Sequence, residues 1–147
     1  MRYETYLLET RESMMTFEFI SKGPKGSVKK RVQYTKFKQG NFYNLAFGDV
    51  NKNNDIDDKT VTHNNDTHKV LATVAKTVYT FLEKYPNAAI YVKGSTFART
   101  RLYRMIISNN LEEINEQFKV FGFFDDKGWV VYEKNNDYSA FLVILKK

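Results

Sequence analysis

The 147-residue chain contains no cysteine. Disulfides, thiolate zinc sites and a cysteine nucleophile are therefore excluded. No run approaches the roughly 20 apolar residues that a membrane-spanning helix needs. The opening stretch "MRYETYLLETRESMM" is interrupted by charge throughout, so no signal-peptide core is expected and a cytoplasmic location follows by elimination. Only two histidines occur, His63 and His68. Five residues apart across a helix start, they do not share a face as the HExxH zinc pattern requires. The phosphate-loop pattern GxxxxGK[ST] is missing as well.

What is present is globular composition, with 42% hydrophobic and 27% charged residues. That length suits one domain, residues 1–147, with a single core. Aromatics reach 16%, which favours β-structure, where flat rings pack on a pleated surface. The formal net charge is +6, unevenly placed. Residues 11–40 carry eight basic side chains against two acidic ones, whereas residues 49–66 carry five aspartates against two lysines. A basic excess of this kind attracts polyanions.

Alternation in "MMTFEFIS" puts Met15, Phe17 and Phe19 on one face and Thr16 and Glu18 on the other. "KGPKG" supplies a hairpin connection, and "SVKKRVQYTKF" returns with Val28, Val32 and Tyr34 inward and Lys29, Arg31, Gln33 and Thr35 in water. "NFYNLAFGD" is a third strand. Val70, Leu71, Val74, Val78, Phe81 and Leu82 recur at helical spacing after Asn65 or Asp66, and Pro86 ends that helix. "AAIYVK", "FKVFGFF", "GWVVYEK" and "AFLVILK" complete the strands, the last apolar on both faces and so central. The expected fold is α+β: a single, largely antiparallel sheet of six or seven strands with two or three helices on one face.

Three constellations carry chemistry. In "AAIYVKGSTFARTRLYRMIISNN", a strand turns at Gly94 into a helix capped by Ser95 or Thr96. Exposed amides and the helix dipole could receive an anion there, held by Arg99 and Arg101. The anion-binding candidates are thus Gly94, Ser95, Thr96, Arg99 and Arg101. Helical phase places Ala98, Leu102, Met105 and Ile106 toward the core with Arg99 and Tyr103 on its edge, and Arg101 with Arg104 as an exposed pair. In "GDVNKNNDIDDKT", oxygen-bearing residues alternate from Asp49 through Asn51, Asn53, Asp55 and Asp57, echoing a calcium loop. Asn54 replaces its glycine and Thr60 its bidentate glutamate, so no metal and no cofactor is expected, with Asp49, Asp55 and Asp57 the nearest candidates and Asp58 beside them. The third is the basic strand itself. Lys29 and Arg31, joined by Arg101 and Arg104, are the candidate nucleic-acid contacts, with Tyr34, Phe37, Phe42 and Tyr43 interleaved as flat rings.

"SKGPKGSVKKRVQYT", "YNLAFGD", "NNDTHKVLATVA" and "GSTFARTRLYRMII" together resemble a family of uncharacterised bacterial proteins, chiefly from Bacteroidetes, labelled only as a domain of unknown function. The resemblance spans nearly the whole chain and brings no catalytic residue with it. The function expected from the residues is a binding module for RNA, DNA or another polyanion. The alternatives are an enzyme on a phosphate-bearing substrate, with Asp49 and Arg99 as its catalytic candidates, and a subunit that binds a protein partner. No membrane partner is expected.

Overall fold

The computed structural model describes residues 4–11, 13–57 and 62–146. Its contacts divide into two compact units, Met1–Thr35 with Ala46–Lys84 and Lys36–Leu45 with Tyr85–Lys147. Among the described residues there are three helices, and none is long and apolar enough to cross a membrane. The strands form one open, mixed sheet of nine, in the order β1 (Glu9–Arg11), β2 (Thr16–Gly23), β3 (Gly26–Lys36), β4 (Phe42–Val50), β6 (Ala89–Val92), β9 (Ala140–Leu145), β7 (Phe118–Phe124) and β8 (Gly128–Val131), with β5 (Ile56–Asp57) paired to β4. This corrects the expected count of six or seven strands, and one pairing makes the sheet mixed rather than purely antiparallel. β1 (Glu9–Arg11) and β5 (Ile56–Asp57) are too short to show periodicity. β4 (Phe42–Val50) and β6 (Ala89–Val92) run parallel, which needs a long crossover, and that connection carries α1 (Thr67–Lys84).

In the first unit, β2 (Thr16–Gly23) and β3 (Gly26–Lys36) form the expected hairpin, closed by Gly23 opposite Gly26. Phe17, Phe19, Val32, Tyr34 and Phe47 are buried, as are Val70, Leu71, Val74, Phe81 and Leu82 on the apolar stripe of α1. Tyr34 stacks on Phe81 with ring centroids 4.1 Å apart, and its hydroxyl meets Thr77 Oγ1 at 2.8 Å. Before α1, the Asn64 side chain donates to Gly26 O and accepts from Lys25 N at 2.7 Å, which ties the hairpin turn to the loop.

The charges of β3 depart from the expected wet face. Arg31 lies opposite Glu18 in the register, and Glu18 is only 2% exposed. Arg31 Nε donates to Glu18 Oε2 at 2.6 Å, while its two terminal nitrogens donate to Asn54 O and Asn54 Oδ1, each at 2.8 Å. Arg11 and Lys29 pair with the other oxygen of Glu18. A fork that matches both a carboxylate and an amide is fixed in place and buried. Lys30, one residue away and so on the opposite face, points into the core beside Phe47. Its ammonium donates to Asp49 Oδ1 at 2.6 Å and to Thr62 O at 3.3 Å, and Thr62 N donates to Asp49 Oδ2 at 3.0 Å.

The second unit contains the start of β4, then β6, α2 (Phe97–Asn109), α3 (Leu111–Gln117), β7 (Phe118–Phe124), β8 (Gly128–Val131) and β9 (Ala140–Leu145). β9 lies between β6 and β7, antiparallel to both, as its two apolar faces suggested. The register puts Ile90, Val143 and Val120 in one row of the sheet, all buried, beside Val92 and Phe141. Tyr103, Ile106, Ile107 and Ile114 are the buried hydrophobic residues that α2 and α3 add, with the Arg99 side chain buried beside them. The other face carries Tyr91, Leu142, Phe121 and Val131 in one row and Phe123 with Trp129 in the next, all at least partly in solvent.

Two stability predictions follow from the buried charges. Replacing Lys30 alone by methionine leaves Asp49 buried and uncompensated, so urea unfolding should show a loss of about 3 kcal/mol. The double variant Lys30→Met/Asp49→Leu should recover most of it, because an apolar pair needs no partner. For Glu18, burial acts to raise the carboxyl pKa, but hydrogen bonds from Arg31 and Lys29 and their charges hold it below the ordinary glutamate value. Its stabilising contribution is therefore complete above that ordinary value and lost as pH falls through the lowered one. Glu18→Gln should cost about 2 kcal/mol at neutral pH, and the gap from the parent protein should close as both are unfolded at progressively more acidic pH.

Candidate nucleic-acid interface

The turn from β6 into α2 is closed by its own side chains. Thr96 is the N-cap, in extended conformation, and its hydroxyl accepts from Arg99 N at 3.2 Å. Gly94 N donates to Thr100 Oγ1 at 3.1 Å. A Cβ on Gly94 would come within 2.3 Å of Thr100 N, so only glycine lets the strand end sit this close to the first turn. The corner brings Gly94, Ser95, Thr96, Arg99 and Arg101 together in sequence but aims the arginines apart. Arg99 is 3% exposed and lies beside the Tyr103 hydroxyl, whose pKa burial raises despite that positive charge. Arg101 is exposed. Arg104, expected to form an exposed pair with Arg101, donates to Asp137 Oδ1 at 2.5 Å.

The buried face of α2 also differs from the expected one. Arg99, Tyr103, Ile106 and Ile107 are buried, whereas Ala98 and Met105 are exposed and Leu102 is half-buried. The buried face is turned by about one residue, so that Arg99 takes the core-facing position assigned to Ala98. Phe97 is left almost fully in solvent.

Asp49 has partners on both carboxylate oxygens, Lys30 and the Thr62 amide. Asp57 lies opposite it in the β4–β5 register. The alternating Asn/Asp spacing has a local explanation. Asn51 Oδ1 accepts from Asn53 N at 2.9 Å and Asp55 N at 3.0 Å, and Asn54 takes a left-handed φ of 65°. These side chains build the turn between β4 and β5. Asp58 and Thr60 lie outside the described residues. Among the described residues, no group of three or more His, Asp or Glu side chains is placed to hold a metal ion.

The candidate rings divide. Tyr34 and Tyr43 are core residues, each at most 5% exposed, whereas Phe37 and Phe42 are 42% and 44% exposed. The segment "FKQGNF" brings the latter two together in the second unit: Phe37 N donates to Phe42 O at 2.9 Å across the loop. Gly40 reverses the chain with φ at 68°, and the Phe42 ring lies against it, where a Cβ would meet the ring at 2.9 Å. The open face of the sheet continues this patch. Phe37 meets Tyr91 edge-to-face at 5.9 Å, Tyr91 meets Trp129 the same way at 6.2 Å, and Trp129 adjoins Phe123 at 5.1 Å. Phe37, Gln39, Phe42, Tyr91, Trp129 and Leu142 line an open cleft of about 530 Å³.

Three exposed lysines stand on the cleft's own loop, just beyond β6 and on β7. Lys119 shares a cross-strand row with Ile144, Ala89 and Phe42, and it is exposed. Lys93 follows β6 two residues beyond Tyr91, and Lys38 lies on the Phe37–Phe42 loop; both are exposed. The carboxylates Asp125 and Asp126 occupy the β7–β8 turn, where Ser139 Oγ donates to Asp125. Tyr91 and Trp129 were not among the residues that sequence patterning singled out. Their signal was available in the alternation of "AIYV" and "GWVV", where Tyr91 stands opposite the buried Ile90 and Val92 and Trp129 opposite the half-buried Val130.

No curated protein and no solved structure matches the chain. A family model described as a family of unknown function, DUF6934, matches residues 2–146. Spanning nearly the entire sequence, that match means that the chain belongs to the DUF6934 family.

Proposed function

We propose that this protein is a nucleic-acid-binding module whose contact surface is the open aromatic sheet face of the second unit. One observation carries the reading: Phe37, Phe42, Tyr91 and Trp129 form a run of half-exposed rings, with Lys38, Lys93 and Lys119 around it. Core rings such as Tyr34 are covered by neighbouring side chains, but these rings border a cleft open to water. Flat rings hold bases by stacking, worth about 1–3 kcal/mol per base, and lysines neutralise the phosphates between them. RNA and DNA both satisfy that chemistry.

The basic strand supports the reading less than its composition suggested. Arg31 is committed to Glu18 and Asn54, and Lys29 pairs with Glu18. Arg104 is held by Asp137, which leaves Arg101 as the α2 arginine available to a phosphate. Catalysis at Asp49 has correspondingly little support, since its carboxylate is already engaged on both oxygens.

Trp129 is the single tryptophan and lies within the proposed surface, so it reports occupancy directly. Its fluorescence should be quenched by oligonucleotides at low salt. With about three lysine–phosphate contacts, log affinity should fall against log salt with a slope of about −2 to −3, and Lys38→Ala or Lys119→Ala should each lessen that slope by about 1. Tyr91→Ala should weaken binding by about 1–3 kcal/mol with the slope unchanged. A protein that binds no oligonucleotide at low salt, or that self-associates through this face in sedimentation, would overturn the proposal.

A further inference from the structure

We infer that the cleft between the Phe37–Phe42 loop and strands β6 and β8 receives one unpaired nucleobase of a single strand, with Gln39 hydrogen-bonding its edge. This rests on the nucleic-acid reading above and narrows it to a substrate class. The cleft is apolar except at its rim: four rings and Leu142 line it, and Gln39 is the one lining residue with a side-chain amide. Phe37 and Trp129 each stand nearly perpendicular to Tyr91, at 77° and 76°, so a flat guest meets ring surfaces on more than one wall.

Such a site selects for an exposed base face. Inside a duplex both faces of a base are already stacked, so presenting one to the cleft requires unstacking and unpairing. A single strand has that face available. Once the base is seated, its edge must lose water unless it finds a partner, and an amide offers both a donor and an acceptor. Every unpaired base presents an adjacent donor and acceptor on its freed Watson–Crick edge, which a glutamine can engage at two points. Gln39 is placed to do this because Gly40 turns the loop sharply behind it, with the Lys36 ammonium donating to Gly40 O at 3.1 Å. Exposed Lys38 adjoins it for the flanking phosphate.

The test is a set of Trp129 fluorescence titrations with equal-length oligo-dA, oligo-dT, an abasic oligomer, a hairpin duplex and free AMP. Oligo-dA should quench at concentrations at least tenfold below the duplex and the abasic strand. Gln39→Ala, a change on an exposed loop, should weaken oligo-dA and oligo-dT alike, by about tenfold, while binding of the abasic strand stays within about twofold. If the duplex and abasic strands bind as tightly as oligo-dA, the protein still binds nucleic acid but the base-receiving cleft is refuted. If AMP quenches as tightly as oligo-dA, the site belongs to a free nucleotide and the single-strand assignment fails. If nothing binds, this inference and the reading beneath it fall together.

Discussion

The organising constraint in the first unit is that charge on β3 must be neutralised where it is buried. Lys30 and Arg31 are neighbours in sequence and therefore point to opposite faces of the sheet. Neither reaches bulk water: Lys30 is 1% exposed and Arg31 8%. Each is met by a carboxylate from an adjacent strand, Asp49 on one face and Glu18 on the other. The pairs fix which residues of β2, β3 and β4 can lie side by side, since a one-residue slip would bury four unpaired charges. Thr62 and Asn54 then complete the remaining hydrogen bonds, which ties two loops to the same strand.

That constraint has a functional consequence. A segment carrying eight basic residues suggests a binding surface, but half of it, namely Arg11, Lys29, Lys30 and Arg31, is held by Glu18 and Asp49. Net charge remains positive, although the cations left for an outside ligand are dispersed. Dispersed lysines contribute long-range attraction and little geometric selection. Selectivity in this protein therefore has to come from shape and stacking. The second unit supplies those: one face of its sheet is packed with aliphatic residues, and the other holds rings in solvent.

Much of this architecture was legible from residue patterns. The β2–β3 hairpin, the apolar stripe of α1, the central place of β9 and a cap at Ser95 or Thr96 all follow from local periodicity and turn chemistry, and the structure puts the cap on Thr96. Errors arose where a long side chain behaves in two ways. Arg31 was expected in water and Arg99 on the edge of the core, and both are buried, since their stems pack like hydrophobes while their heads need a partner. The Asn/Asp spacing after β4 resembled a metal loop for a related reason, because the side chains that ligate cations also close tight turns.

By itself the sequence determined the α+β class, the main helix and most strands, because these depend on periodicities of 2 and 3.6 residues within short windows. It also determined that rings and cations are plentiful. Only tertiary structure decided which of them face water. Tyr34 and Phe37 are three residues apart, yet one stacks on Phe81 in the core while the other edges an open cleft. That choice depends on partners distant along the chain, Thr77 and Phe81 for the first and Tyr91 for the second. Local patterning has no access to such contacts, because the register and the parallel β4–β6 pairing that create them are set by the packing of the whole sheet.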